Sequence, residues 1–129
     1  AAAVERVVAQ FGLAPMTKRL VGNLSKGYQQ RVSLAQAFLH DPSLVIVDEP
    51  TGGLDPLQRA QVQDVLAPLR GERTVVLCTH DLEEARRLTS RVAVLHEGRR
   101  LRAGPTSEVL GDRDPHDLFR GIAGAEAGA

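Results

Sequence analysis

Several features that mark common protein classes are scarce in this sequence. Its 129 residues include a single cysteine, Cys78, so no internal disulfide framework can form. Cys78 closes the apolar run Thr74 to Cys78, where a small buried thiol suited to a reducing cytoplasm is expected. Neither sign of charge is in excess: 16 basic and 16 acidic residues give a formal net charge of zero. Electrostatic steering toward nucleic acid or an anionic membrane therefore has no support. No apolar run approaches the roughly 18 residues of a membrane span, and no charged-then-apolar leader opens the chain. Any membrane role is expected to come through a partner. Internal repeats are absent too. The first residue is Ala1, and helical spacing is already present at Val4, Val7, Val8 and Phe11, which reads as a chain beginning partway through a domain.

What is present is a 43% hydrophobic composition, enough for one ordinary domain with a real core. The rest is organised around Leu44 to Pro56, Leu-Val-Ile-Val-Asp-Glu-Pro-Thr-Gly-Gly-Leu-Asp-Pro. Its mostly β-branched apolar start reads as a strand buried on both faces. Asp48 and Glu49 come next at the strand's carboxyl end, the edge where open α/β sheets bind ligands. Adjacent carboxylates there suit a magnesium nucleotide, one holding the metal and the other handling water.

Around that strand, the spacing predicts a helix over Ala2 to Phe11 stopped by Gly12, then a connector from Leu13 to Asn23. Ser25 is a good N-cap for a helix over Lys26 to Leu39, with Val32, Ala35, Phe38 and Leu39 on its inner face. Asp55-Pro56 and Gln58 form a box-like cap for a helix from Leu57 to about Arg70, bent or interrupted at Pro68 and ended by Gly71. Thr74 to Cys78 reads as a second buried strand, succeeded by Thr79-His80 and a short helix capped by Asp81 with Glu84. Arg91 to His96 and Arg99 to Ala103 form a strand pair around Glu97-Gly98. Short helices are expected from Thr106 and over Pro115 to Arg120, with a frayed Ala/Gly-rich end at Gly121 to Ala129. Strands alternating with helices argue an α/β fold with a mainly parallel sheet.

Leu24-Ser25-Lys26-Gly27-Tyr28-Gln29-Gln30-Arg31 opens the helix before the central strand. Free N–H groups and the helix dipole there favour phosphate, although an isolated Ser-x-Gly is also an ordinary helix start. Combined with the motifs downstream of it, the order is specific. The chain closely resembles the ATP-binding subunits of ABC transporters: Leu24 to Arg31 resembles the signature motif and Leu44 to Glu49 resembles Walker B. Gly53-Leu54-Asp55 is similar to the D-loop and Thr79-His80-Asp81 to the switch histidine region. The likeness runs from about Val4 to Leu110, and its wording is most like bacterial export-type systems.

The resemblance implies a partial P-loop NTPase (RecA-like) core, preceded by part of the ABC helical subdomain. Residues 1–43 would end that subdomain, 44–112 would form the C-terminal part of the core, and 113–129 would be a partly disordered extension. It implies ATP and magnesium as cofactors, with Asp48 binding the metal, Glu49 activating water, and His80 contacting the γ phosphate and holding Glu49. Ser25 and Gly27 would contact ATP held by a second ATPase subunit, most simply in a homodimer. Asp55 would lie at the dimer seam, while its N-cap position explains it equally well. A transmembrane permease would be the other partner, placing the chain on the cytoplasmic face of the membrane, with no nucleic acid involved. Gln29, Gln30 and Arg31 are expected to be solvated, and His40, His96 and His116 to be surface residues.

Departures accompany the likeness. Lys26 stands where the family usually has glycine and Tyr28 where it usually has glutamine. No G-x-x-x-x-G-K-[ST] loop occurs, nor the adenine-stacking aromatic or the glutamine loop. Three readings are compatible with this pattern: an export ATPase represented by its C-terminal half, a truncated non-catalytic domain, or a soluble ABC-type ATPase outside transport. In the family the phosphate-loop strand lies beside the one ending at His80, so Val75 to Cys78 should lack a neighbour on one side. An open strand edge of this kind promotes association.

Overall fold

A computed structural model describes residues 1–118 and Arg120. The backbone forms two compact units, one over Ala1–His80 and one from Asp81 onward.

The first unit opens with α1 (Ala2–Gln10), which ends where Gly12 turns into the left-handed region at φ 62°. Two 3₁₀ turns, Ala14–Met16 and Val21–Asn23, carry the connector to α2 (Lys26–Phe38). There Ser25 accepts the Tyr28 N–H at 3.4 Å, as the cap reading expected. The inner stripe of α2 is Gly27, Arg31, Leu34, Ala35 and Phe38. Val32 and Leu39, expected in that stripe, are only half-buried, because it runs three and four residues on from Gly27 rather than back from Leu39. Arg31 is a correction: it is 8% exposed rather than solvated, and its guanidinium lies 4.0 Å from the centre of the Tyr28 ring. Phe11 and Phe38 meet with ring centroids 5.3 Å apart and join α1 to α2. Arg6 donates to the Phe38 and Leu39 carbonyls at the carboxyl end of α2.

β1 (Leu44–Asp48) and β2 (Thr74–Cys78) pair in parallel, from Leu44 opposite Thr74 to Asp48 opposite Cys78. β1 is not buried on both faces. Val45 and Val47 are buried, whereas Leu44 and Ile46 are 52% and 68% exposed and Val76 is 43% exposed. Side chains alternate across a strand, and the described residues supply cover for one face only. Cys78 lies on the open face opposite Asp48 and is exposed, not the buried thiol expected. Among the described residues β2 pairs with β1 alone, so its other edge is open as the resemblance implied.

Between the strands, α3 (Pro56–Leu66) starts in the Asp55 to Gln58 capping box. It stops short of Arg70, because Pro68 turns the chain into a 3₁₀ turn, Ala67–Leu69, before Gly71 at φ 93°.

In the second unit, Asp81 accepts from the Glu83 and Glu84 amides and starts α4 (Leu82–Leu88). β3 (Arg91–His96) and β4 (Arg99–Pro105) form an antiparallel hairpin, β4 running two residues beyond expectation. Glu97 and Gly98 both have positive φ, the geometry of a type I′ turn. α5 (Thr106–Val109) comes after β4, and Ala85, Val94, Val109, Leu110 and Leu118 form this unit's core. A helical turn covers 115–118, while the end expected to fray, 121–129, lies outside the described residues. His40, His96 and His116 are exposed, as expected.

Candidate functional site

Every residue singled out in the sequence for chemistry lies in the first unit. β1 ends at Asp48, and the Glu49 amide extends the ladder by donating to the Cys78 carbonyl at 2.8 Å. The chain then turns sharply: Glu49 has φ 47°, a left-handed conformation uncommon outside glycine, asparagine and aspartate. The Glu49 carbonyl accepts the Gly52 amide, and Pro50 and Thr51, the central residues of that turn, are buried. Because β2 runs parallel and in register, His80 emerges at the same end of the sheet. Its Nδ1 lies 2.9 Å from Glu49 Oε1. The contact is open to solvent, with the His80 side chain 85% exposed and that of Glu49 41%.

Asp48 occupies the exposed face of the strand end. Among the described residues its carboxylate takes no side-chain hydrogen bond or salt bridge, so both oxygens are available. A hard cation such as magnesium takes one or two such carboxylates and keeps water on its remaining positions, and the residues present fit that requirement.

Ser25 and Gly27 stand at the amino end of α2, where the first amides of a helix have no intrahelical partner. The Ser25 bond to Tyr28 leaves the hydroxyl hydrogen free to donate. Gly27 has a packing role that sequence reasoning missed. A Cβ at this position would stand 3.2 Å from both Cβ and Cγ of Gln58, so the missing side chain is also what lets α2 approach α3. Gln58 in turn accepts the Asp55 amide at 3.4 Å and donates its own amide to Asp55 Oδ1 at 2.8 Å. The structure thus brings together Glu49 with His80, and Gly27 with the Gln58–Asp55 cap. The burial of Arg31 was readable only from its spacing, three residues after Tyr28 and four after Gly27.

Comparison with known proteins gives the same picture. Residues 1–52 match the family model described as ABC transporter. The chain is 41% identical over 95 residues to a fluoroquinolones export ATP-binding protein of Mycobacterium tuberculosis, covering 73% of this chain and 32% of that protein. It is 40% identical over 116 residues to the nickel import ATP-binding protein NikO of Rhodobacter capsulatus, covering 84% and 44% respectively. Its fold superposes on cbiO1 of Clostridium perfringens, part of the ABC transporter complex cbiONQ. The TM-score is 0.77 at 27% identity, over 94% of this chain and 48% of that one.

The chain is a relative of the ABC transporter ATP-binding proteins. It spans less than half the length of these relatives. The ABC fold accounts for the parallel β1–β2 pair, with carboxylates at its carboxyl end and helices against one face. None of its described helices is long and apolar enough to cross a membrane.

Proposed function

We propose that this ABC chain supplies the signature, Walker B, D-loop and switch histidine stretches of an ATPase that drives membrane transport. The observation carrying this reading is the 2.9 Å contact between Glu49 and His80 at the ends of paired parallel strands. In it, Glu49 takes a proton from the attacking water, and His80 fixes the carboxylate's orientation and reaches the γ phosphate. The Ser25 hydroxyl and the amide of Gly27 bind phosphate held by a second ATPase subunit. Asp48 holds magnesium, which neutralises phosphate charge when bound. Asp55 lies at the seam between the subunits, and a permease anchors them at the cytoplasmic face of the membrane. The division into helical subdomain 1–43, core 44–112 and extension 113–129 belongs to the same proposal.

Export is the direction proposed, supported by the wording of Leu24 to Arg31 and the likeness to the fluoroquinolones export protein. The nickel import relative makes transport by the reconstituted complex the deciding assay for direction. A second reading, a non-catalytic chain, is favoured for the isolated 129 residues, because their sequence holds no phosphate loop.

The test of the main reading is Glu49→Gln in the ATPase subunit assembled with its permease. ATP affinity should be retained while turnover falls about 10²- to 10⁴-fold, the usual worth of general-base assistance. Hydrolysis at the unmodified rate would refute the role given to Glu49.

A further inference from the structure

Beyond the residues with expected chemistry, the geometry points to Gln58 as a positioning residue that makes the Ser25–Gly27 turn and the Asp55 turn one mechanical unit. We infer that its side chain does this in two ways at once. Its Cβ and Cγ pack into the space left by the absent side chain of Gly27, at 3.2 Å from where a Cβ would stand. Its Oε1 accepts the Asp55 amide at 3.4 Å. One side chain therefore bears on both turns, and a displacement of either is transmitted to the other through Gln58. The inference rests on the nucleotide reading only for its significance; the coupling itself is a property of the chain.

The two hydrogen bonds of the capping box differ in a way that makes the coupling measurable. The bond from the Gln58 amide to Asp55 Oδ1 is 2.8 Å long and its donor is backbone. The bond from the Asp55 amide to Gln58 Oε1 is already near the outer limit for N–H···O, and its acceptor rides on the side chain that touches Gly27. A methyl group at position 27 pushes that side chain by a few tenths of an ångström. The long bond breaks and the short one survives. Gly27→Ala should therefore release the Asp55 amide while leaving the Gln58 amide protected.

The experiment is amide hydrogen exchange, read by NMR on the full 129-residue chain without nucleotide. In Gly27→Ala the Asp55 amide should exchange about two- to tenfold faster, the worth of one net hydrogen bond, with the Gln58 amide unchanged. Gly22→Ala is the control, since a Cβ there meets nothing within 4 Å. From the opposite side, Gln58→Leu keeps the packing stem but loses the acceptor, and should release Asp55 as Gly27→Ala does. Gln58→Glu keeps both and should restore the unmodified protection, a rescue that loss of general stability would not produce. The inference is overturned if Gly27→Ala leaves the Asp55 amide unchanged, or if it releases the Asp55 and Gln58 amides together. Should Gly27→Ala fail to fold, the contrast between Gln58→Leu and Gln58→Glu decides alone. Failure here leaves Glu49 and His80 untouched, so it is distinguishable from failure of the ATPase reading.

Discussion

Asp55 has two roles in prospect, helix cap and subunit seam, and substitutions separate them. Its Oδ1 accepts the Gln58 amide at 2.8 Å, while the reverse bond uses only the Asp55 backbone. Asp55→Ala therefore removes one of the two bonds and the negative charge beside the amino end of α3. Loss of an N-cap costs about 1 kcal/mol, and the charge against the helix dipole about 0.3–1 kcal/mol. Asp55→Asn keeps the acceptor and loses only the charge. With a urea slope of about 1.5 kcal/mol/M, the unfolding midpoint of the first unit should fall by roughly 1 M for alanine and roughly 0.3 M for asparagine. Circular dichroism in urea on the isolated chain reads both. An alanine variant within about 0.2 M of the unmodified chain would refute the capping account, since it leaves too little energy for a cap. In the assembled ATPase, Asp55→Asn isolates the seam role: lost turnover with retained stability assigns the carboxylate to the interface, and unchanged turnover assigns it to the cap.

The open face of the β1–β2 sheet yields two more expectations. Cys78 should react with a thiol reagent in the native chain at nearly the rate of a free thiol, and protection released only by urea would mean that the face is covered. Ile46→Thr should reduce self-association in sedimentation while shifting stability by no more than about 0.5 kcal/mol, as for other surface positions. A loss of several times that would show Ile46 to be packed.

The parts of the fold that were legible in the sequence are those decided by a few neighbouring residues. Ser25 before a helical pattern, Asp55-Pro56 with Gln58 three residues after the cap, and Glu97-Gly98 between two strand-like runs each specify local backbone, and each formed as read. The Glu49–His80 meeting was legible because two apolar runs, each ending in polar residues, pair in parallel and bring their ends to one edge. Burial depends on what stands opposite, and there the reading failed. Leu44 to Val47 is apolar at every position, so it holds no alternation to show that only Val45 and Val47 would be covered. Cys78 shares that error. Arg31 failed in the reverse sense, because a guanidinium can be buried against an aromatic face whose quadrupole attracts it, and no periodicity rule for apolar residues detects it. The boundary between the two units after His80 also left no mark in composition.

The parallel pairing of β1 with β2 also bears on the order in which the molecule is assembled. The hairpin of the second unit closes over the Glu97-Gly98 turn, whereas bringing Leu44 beside Thr74 requires all of α3 and its flanking turns to be gathered first. Closure entropy rises by about 0.6 kcal/mol for each doubling of the intervening chain, and ladders between distant positions form slowly. Glu49 and His80 thus become neighbours only when that long-range ladder is in place. A nascent or partly opened chain would have α2, α3 and α4 capped and its hairpin closed, yet present a carboxylate and an imidazole that have not met.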